Sequence, residues 1–391
     1  MQNFFRLSAI CLLLTLSANY AMAQATLTGA NVITTAVPFL TIAPDSRAAG
    51  MGDAGVGTSA DVNAQHWNPA KYAFIESEMG VSLSYSPWLR ALVNDINLAY
   101  LVGYKKIDEF QTISTSLRYF SLGDIMFYDE SAQYQGQQNP NEFAIDFGYT
   151  RLLSDNFSGA VAVRYIRSDL TGGQLINGVE SHAGNSYAAD VAFYYRNEFY
   201  IRRQTNLFSA GINIQNIGAK ISYTDGEVKD FIPTNMKLGL AYTTELDDYN
   251  TFTFTADINK LLVPTPPKDT TTYDSGAIIY PGGINSDKSV VAGMFSSFTD
   301  APGGFQEELQ EINISAGVEY WYNNQFALRA GYFWEHENKG NRKFMTAGAG
   351  LKLNVFALDF AYLLPLVRNH PLENTLRFTL SFDVDAFSGQ R

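Results

Sequence analysis

The sequence predicts an all-β fold, a 14-stranded antiparallel transmembrane β-barrel with an N-terminal hatch that plugs its lumen. Three observations support this prediction. Apolar and polar residues alternate in many successive segments, the connections between those segments sort by length, and an exported, aromatic-rich chain lacks any apolar run long enough for a spanning helix.

Strict alternation of residue type is typical of a strand with two different faces. In 375–383 and in 356–364, every second residue is large and apolar, and the residues between are mostly small or charged. In an outer membrane these faces contact lipid and lumen, whereas in water they suit a β-sandwich. Fourteen segments fit the pattern: 80–86, 96–105, 111–120, 142–152, 157–168, 186–196, 207–215, 234–244, 251–259, 311–322, 326–334, 344–353, 356–364 and 375–384.

The connections between these segments favour the barrel over the sandwich. Bacterial barrels have short periplasmic turns and longer outer loops. If the first strand runs outward, nearly all the long connections fall at the outer end: 87–95, 121–141, 169–185, 216–233, 260–310, 335–343 and 365–374. The other end has 106–110, 153–156, 197–206, 245–250, 323–325 and 354–355. A soluble sandwich has no reason to sort its loops in this way.

The N-terminus predicts export. Residues 1–23 read as a signal peptide, with Arg6 before an apolar run and Ala21-Met22-Ala23 before a mature start at Gln24. An N-terminal anchor is the alternative, but the apolar run is too short to span a bilayer. Cys11 is the single cysteine and lies in this segment, so we expect no disulfide, catalytic thiolate or cysteine zinc site. The net charge of −12 disfavours nucleic acid as a partner.

Patterns for catalysis, metal binding and cofactor binding are not evident, so none of these sites is predicted. The four histidines are scattered, and the sequence has no GxSxG or Walker pattern. The glycines of 50–57 superficially resemble a dinucleotide fingerprint, but the required βαβ context is missing. A catalytic cluster of Asp53, Asp61 and His66 is an alternative without a distinct nucleophile.

Charged residues at inward strand positions predict a lumen of mixed charge that pairs with itself and with the plug. We expect Arg47, Asp53 and Asp61 of the plug to pair with these charges. The inward set is Arg118, Asp146, Arg164, Asp190, Lys237, Asp257, Glu319, Arg329, Lys352, Asp359, Arg377 and Asp383. The longest outer loop, 260–310, reads as a structureless insertion that is either functional or a solvated surface loop.

The segment 45–56, DSRAAGMGDAGV, followed by Trp67-Asn68-Pro69-Ala70, resembles the N-terminal hatch of the long-chain fatty-acid transporter (FadL) superfamily. Within that superfamily, the whole mature chain resembles the PorV (LptO) family of the type IX secretion system. The matching hatch residues are Asp45, Arg47, Gly50, Gly52, Asp53, Gly55, Asn68 and Pro69.

The resemblance implies a non-enzymatic outer-membrane protein that binds the C-terminal signal domain of secreted cargo at a SprA/Sov-like translocon. It would carry the cargo to a PorU-like sortase and the other subunits of a surface attachment complex, in a membrane of lipid and lipopolysaccharide. The organisation would be a signal peptide (1–23), an N-terminal segment with the hatch (24–78) and a barrel (79–391). Candidate partner-binding residues in the outer loops are Tyr128, Tyr134, Tyr273, Tyr280, Phe295 and Phe298.

Two alternatives remain open at this stage. The first is a FadL-like transporter of hydrophobic small molecules, in which the hatch shifts to open a path. The second is a lipopolysaccharide-modifying protein related to deacylation, which requires a nucleophile and a base close together.

Overall fold

A computed structural model describes residues 30–384, except 91–92, 94, 129–133, 174, 177–178, 203, 226–228, 267–270, 273–277, 280–287 and 368–369. Fourteen strands form one closed barrel. They are β1 (Met79–Pro87), β2 (Asn97–Lys106), β3 (Gln111–Ser121), β4 (Asn141–Ser154), β5 (Phe157–Asp169), β6 (Gly184–Ile201), β7 (Gln204–Gly218), β8 (Asn235–Glu245), β9 (Asn250–Leu261), β10 (Ile312–Tyr322), β11 (Phe326–Trp334), β12 (Lys343–Lys352), β13 (Phe356–Pro365) and β14 (Leu376–Asp383).

Each strand pairs antiparallel with the next one in sequence, and the first and last strands close the barrel. Leu83 of β1 lies opposite Leu101 of β2 on one side and Leu380 of β14 on the other. Closure removes the two free sheet edges that the first and last strands would otherwise expose to lipid. The predicted number of strands and their antiparallel order are confirmed.

The two faces of the wall differ in chemistry as the alternation predicts. Leu83, Leu117 and Phe378 are exposed on the outside, whereas Ser82 and Thr379 are buried toward the lumen. Of the predicted inward charges, Lys352 is wrong: its side chain is exposed, because it is the last residue of β12 and lies at the strand end. An apolar outer face and a polar interior suit a wall surrounded by hydrocarbon.

The ends of the barrel differ in how the chain connects the strands. One end has short turns such as 155–156 and 323–325. The other end has hairpins (Ile125–Tyr128 with Tyr134–Gln138, Leu175–Ile176 with Val179–Glu180, and Thr271–Thr272 with Ile278–Ile279) and the helices α3 (Val290–Ser296) and α4 (Phe305–Gln310). The expectation of a structureless 260–310 loop is therefore wrong. Hydrophobic residues at helical spacing in 290–298 have no period of two, so they fold into α3 instead.

We call the end with the hairpins and helices the outer end. The hatch fills the lumen from this outer end to the short-turn end. Residues 30–37 lie at the outer end, where the Asn31 amide donates to the Asn338 carbonyl. The chain then forms a 3-10 helix (Pro38–Thr41), α1 (Ser46–Ala49), α2 (Ala64–Trp67) and a second 3-10 helix (Pro69–Phe74), and it enters β1 at Met79. None of the helices in the described ranges is long and apolar enough to cross a membrane.

Candidate functional site: the hatch and the outer loops

Asp45 joins the two halves of the hatch. It caps α1, since its Oδ2 accepts a hydrogen bond from the Ala48 amide at 3.0 Å. Its Oδ1 accepts from Trp67 Nε1 at 2.5 Å, which ties α1 to α2 across 22 residues of sequence. Burial raises the pKa of this carboxyl to about 6, and nearby Asp61 adds to the rise.

An ion-pair chain connects the hatch to the β10–β13 side of the wall. Arg47 Nη2 lies 2.8 Å from Glu319 Oε1, and its Nη1 lies 2.8 Å from Asp61 Oδ2. Glu319 also pairs with Arg329 at 2.7 Å, and Arg329 pairs with Asp359 at 2.6 Å. Arg47 thus reaches a lumen charge, whereas Asp61 pairs inside the hatch.

A second charged contact lies at the turn after α1. Asp53 Oδ1 pairs with Arg377 Nη1 of β14 at 3.0 Å. Two residues later, the amides of Gly55 and Val56 both donate to Asp257 Oδ2, at 2.7 and 2.9 Å. One β9 carboxylate therefore fixes two consecutive backbone amides of the hatch.

Glycine permits backbone-to-backbone contact between hatch and wall at this turn. Gly52 has φ +72°, and a Cβ there would lie 2.6 Å from the Tyr332 backbone. A Cβ on Gly50 would lie 3.2 Å from the Gly348 backbone of β12. Gly55 is instead close to another part of the hatch, because a Cβ there would lie 2.6 Å from the Trp67 ring. The glycine pattern that resembles a nucleotide motif therefore serves close packing.

The second half of the hatch docks on the β4–β7 wall through neutral groups. Asn68 Oδ1 accepts from the Ala70 amide at 3.0 Å, and its Nδ2 donates to the Phe193 carbonyl at 3.0 Å. The Pro69 carbonyl accepts from Thr150 Oγ1 at 2.8 Å. Lys71 is fully buried and donates to the Gly55 carbonyl at 2.8 Å; burial lowers the pKa of its ammonium.

The structure does not bring Asp53, Asp61 and His66 together as a catalytic cluster. Asp53 and Asp61 bind different arginines, and Nδ1 of His66 lies 2.6 Å from Arg118 Nη2. Burial is the main cause that holds the pKa of His66 well below its usual value, and the positive charge of Arg118 is the second cause. Within the ranges that the structure describes, no group of three or more His, Cys, Asp or Glu side chains could hold a metal ion.

A buried cluster of charges at the outer end was missed by the sequence analysis. Lys260 lies 2.9 Å from Glu308 and 2.7 Å from Glu311, while Lys339 lies 2.9 Å from both Glu307 and Glu311. Asn31 of the N-terminal segment donates to Glu307 at 3.0 Å. These contacts tie the end of β9, helix α4, the 335–343 loop and the N-terminal segment together.

The helices above this cluster expose aromatic side chains. Phe295 of α3 and Phe305 of α4 are each 75% exposed, and Phe298 after α3 is exposed to a smaller extent. Tyr134 is exposed in the first outer hairpin. Tyr128 lies in the partner strand of that hairpin, and Tyr273 and Tyr280 lie outside the described residues.

In comparisons with known proteins, the chain matches one protein family in sequence and resembles several solved barrel structures in fold. A family model described as "Type IX secretion system protein PorV" matches residues 24–268. No curated protein matches the chain significantly in sequence. Solved structures that resemble it include the toluene transporter TodX of Pseudomonas putida, with 11% identity, coverage of 86% of this chain and 97% of that chain, and a TM-score of 0.49.

Two further solved structures are similar. The toluene transporter TbuX of Ralstonia pickettii has 8% identity, coverage of 86% and 97%, and a TM-score of 0.45. A Pseudomonas aeruginosa FadL homologue has 11% identity, coverage of 90% and 99%, and a TM-score of 0.42. The family match covers more than half of the chain, and the closed barrel has an apolar outer face. The chain therefore belongs to the PorV family of type IX secretion system proteins and is an outer-membrane barrel.

Proposed function

We propose that the protein is a non-enzymatic component of type IX secretion that receives the C-terminal signal domain of secreted cargo at a SprA/Sov-like translocon. It then delivers the cargo to the PorU-like sortase and its attachment complex. Family membership supports the secretion system. The exposed aromatic side chains on the helices of the 260–310 loop support cargo binding at this loop.

The exposure of phenylalanine side chains on the helices α3 and α4 is the single observation that carries this proposal. Two phenylalanines that are each 75% exposed are costly in water, and solvent-exposed aromatics on a fixed base are typical of binding hot spots. The base is fixed because Glu307, Glu308 and Glu311 are buried in ion pairs with Lys260 and Lys339. The hydrophobic side chains are therefore presented without a large loss of loop entropy on binding.

The filled lumen is consistent with binding at the rim. A folded cargo domain is too large for a 14-stranded barrel, whose interior the hatch occupies. Tyr72 of the hatch is fully buried against Tyr104 of the wall, and the buried Gln65 accepts a hydrogen bond from Ser114 of the wall. Cargo contact at the outer end needs no movement of these residues.

The transporter alternative would require the hatch to move. Phe39 and Leu40 of the hatch pack with Leu98, Phe120 and other wall residues, so hatch side chains occupy the apolar part of the lumen. Uptake of a hydrophobic ligand into liposomes that contain the purified protein would favour that alternative. We expect no uptake above that of empty liposomes.

The proposal is tested by replacing Phe295 and Phe305 with serine together and measuring co-purification of a cargo C-terminal domain. We expect at least a tenfold loss of co-purified cargo domain, because an aromatic side chain that becomes buried at the centre of an interface typically contributes about 2 kcal/mol to the binding free energy. The matched control is Phe110→Ser, since Phe110 is 55% exposed at the opposite end of the barrel. Normal cargo recovery with the double variant, or equal loss with the control, would contradict the proposal.

A further inference from the structure

The N-terminal segment 30–37, which we call the strap, lies across the outer end of the barrel before the chain enters the lumen. At one end of the strap, the Asn31 amide donates to the Asn338 carbonyl in the connection between β11 and β12, at 2.9 Å. At the other end, the Ala36 amide donates to the Phe231 carbonyl in the connection between β7 and β8, also at 2.9 Å. The strap therefore joins two outer connections that are far apart along the barrel wall.

Asn31 fixes one side of helix α4. Its Nδ2 donates to Glu307 Oε1 of α4 and to the Pro266 carbonyl, at 3.0 Å each. Asn31 and Glu307 are both buried, and hydrogen bonds to buried carboxylates are stronger than those between neutral groups. Helix α4 has six residues, which is too few for a stable helix in water without tertiary contacts. Its position therefore depends on contacts of this kind.

Phe231, at the other end of the strap, supports helix α3. The buried Gly293 of α3 lies against the Phe231 ring, since a Cβ on this glycine would lie 2.9 Å from that ring. Phe231 is buried, and its carbonyl accepts the hydrogen bond from Ala36. The strap thus contacts the supports of both helices that expose Phe295 and Phe305.

We propose that the strap positions the cargo-binding helices, with Asn31 as the positioning residue, so that Phe295 and Phe305 meet the cargo signal domain together. This inference rests on the proposed function, because it assumes that cargo binds α3 and α4. The strap leads directly into the 3-10 helix that begins the lumen-filling part of the hatch. A barrel without its hatch in place would therefore also lack ordered cargo-binding helices, and cargo would bind to sealed barrels only.

Hydrogen exchange tests the strap without cargo. Asn31→Ala removes the Nδ2 donor to α4. The α4 amides of Glu307 and Glu308, which donate to the Gly304 carbonyl, report on the stability of this helix. We expect them to exchange roughly tenfold faster in Asn31→Ala, because the lost hydrogen bond joins a buried carboxylate.

The matched control is Asn185→Ala. Asn185 lies at the outer end of β6, and its Nδ2 donates to the Ala183 carbonyl at 3.2 Å. The control therefore also removes an asparagine donor at this end of the barrel. We expect it to leave the exchange of the α4 amides unchanged.

Cargo affinity then tests what the strap positions. We expect a purified cargo C-terminal domain to bind Asn31→Ala about threefold more weakly or worse, because a smaller fraction of the protein has both rings in place. In the background of Phe295→Ser with Phe305→Ser, Asn31→Ala should cause no further loss. A residue that contacts cargo directly would lower the affinity in both backgrounds.

Three outcomes would overturn this inference. Unchanged α4 exchange in Asn31→Ala would do so and leave the proposed function intact. An equal further loss of affinity in both backgrounds would assign Asn31 a direct contact instead. Loss of the heat-modifiable barrel in Asn31→Ala would mean that the strap holds the whole fold and not the cargo-binding helices. Normal cargo binding by the Phe295→Ser and Phe305→Ser double variant would instead contradict the proposed function itself, and this inference with it.

Discussion

The hatch and the outer α3–α4 region use the same residue types in opposite ways. In the hatch, Tyr72 and Trp67 are buried and contact Tyr104 and Lys237 of the wall. Arg47 of the hatch pairs with Glu319 of the wall. In the outer region, the charges of α4 are buried while Phe295 and Phe305 face outward. The hydrophobic side chains of the hatch stabilise the folded chain because they are buried inside it. Those of the outer helices are exposed and are available to contact another molecule.

The largest expected effect is on the hatch backbone. Gly52→Ala places a methyl group 2.6 Å from the Tyr332 backbone, so we expect a loss of about 3 kcal/mol or more in the free energy of unfolding. The matched control is Gly304→Ala, since Gly304 has a similar φ of +67° and nothing within 4 Å. Urea unfolding of the two variants measures the difference. Equal losses would mean that backbone strain, and not hatch–wall contact, explains Gly52.

A smaller but still large effect is expected at the carboxylate shared by two arginines. Glu319→Gln removes the anion that Arg47 and Arg329 share, while Asp61 and Asp359 remain as their partners, so we expect a loss of about 2 kcal/mol in the free energy of unfolding. Asp169→Asn breaks the half-exposed pair with Arg167 and should cost less than about 1 kcal/mol. Similar urea midpoints for the two variants would show that the ion-pair chain does not hold the hatch.

The outer charge cluster should affect binding more than barrel stability. Glu311→Gln removes the carboxylate between Lys260 and Lys339, which loosens α4 from its base. We expect a severalfold loss of cargo co-purification with an unchanged heat-modifiable barrel. A global fall in the unfolding midpoint as large as that of Glu319→Gln would contradict the separation of the two regions.

The smallest stability effect is expected for the exposed aromatics. Phe295→Ser alone should change the free energy of unfolding by less than about 0.5 kcal/mol, because the side chain has few contacts to lose. The same substitution should reduce cargo co-purification. A stability loss above about 1 kcal/mol would place this ring in the folded core instead.

The strands were predictable because a two-faced wall imposes a period of two on every strand, and because the two membrane sides impose different loop lengths. The extension of β6 was missed since Arg196, Asn197 and Glu198 interrupt the apolar alternation outside the membrane. There, pairing with β7 continues without a lipid-facing requirement.

The hatch was recognisable from local spacing, but its partners were not all predictable. Arg47 and Asp53 reach lumen charges, as the sequence analysis expected, whereas Asp61 pairs with Arg47 instead. The outer charge cluster has no local signal, because Asn31 and Glu307 are 276 residues apart. Only the closed barrel brings such positions together.

The central claim is that the hatch is a fixed plug and that cargo binds outside it. A reversible lock tests this most directly. Ser46 Oγ of the hatch and Thr379 Oγ1 of β14 lie 3.1 Å apart, so Ser46→Cys with Thr379→Cys would allow a disulfide. Cys11 is the chain's only cysteine, in the predicted signal peptide, so no other disulfide competes. We predict normal cargo secretion by the oxidised, locked protein; secretion that stops on oxidation and returns on reduction would contradict the account.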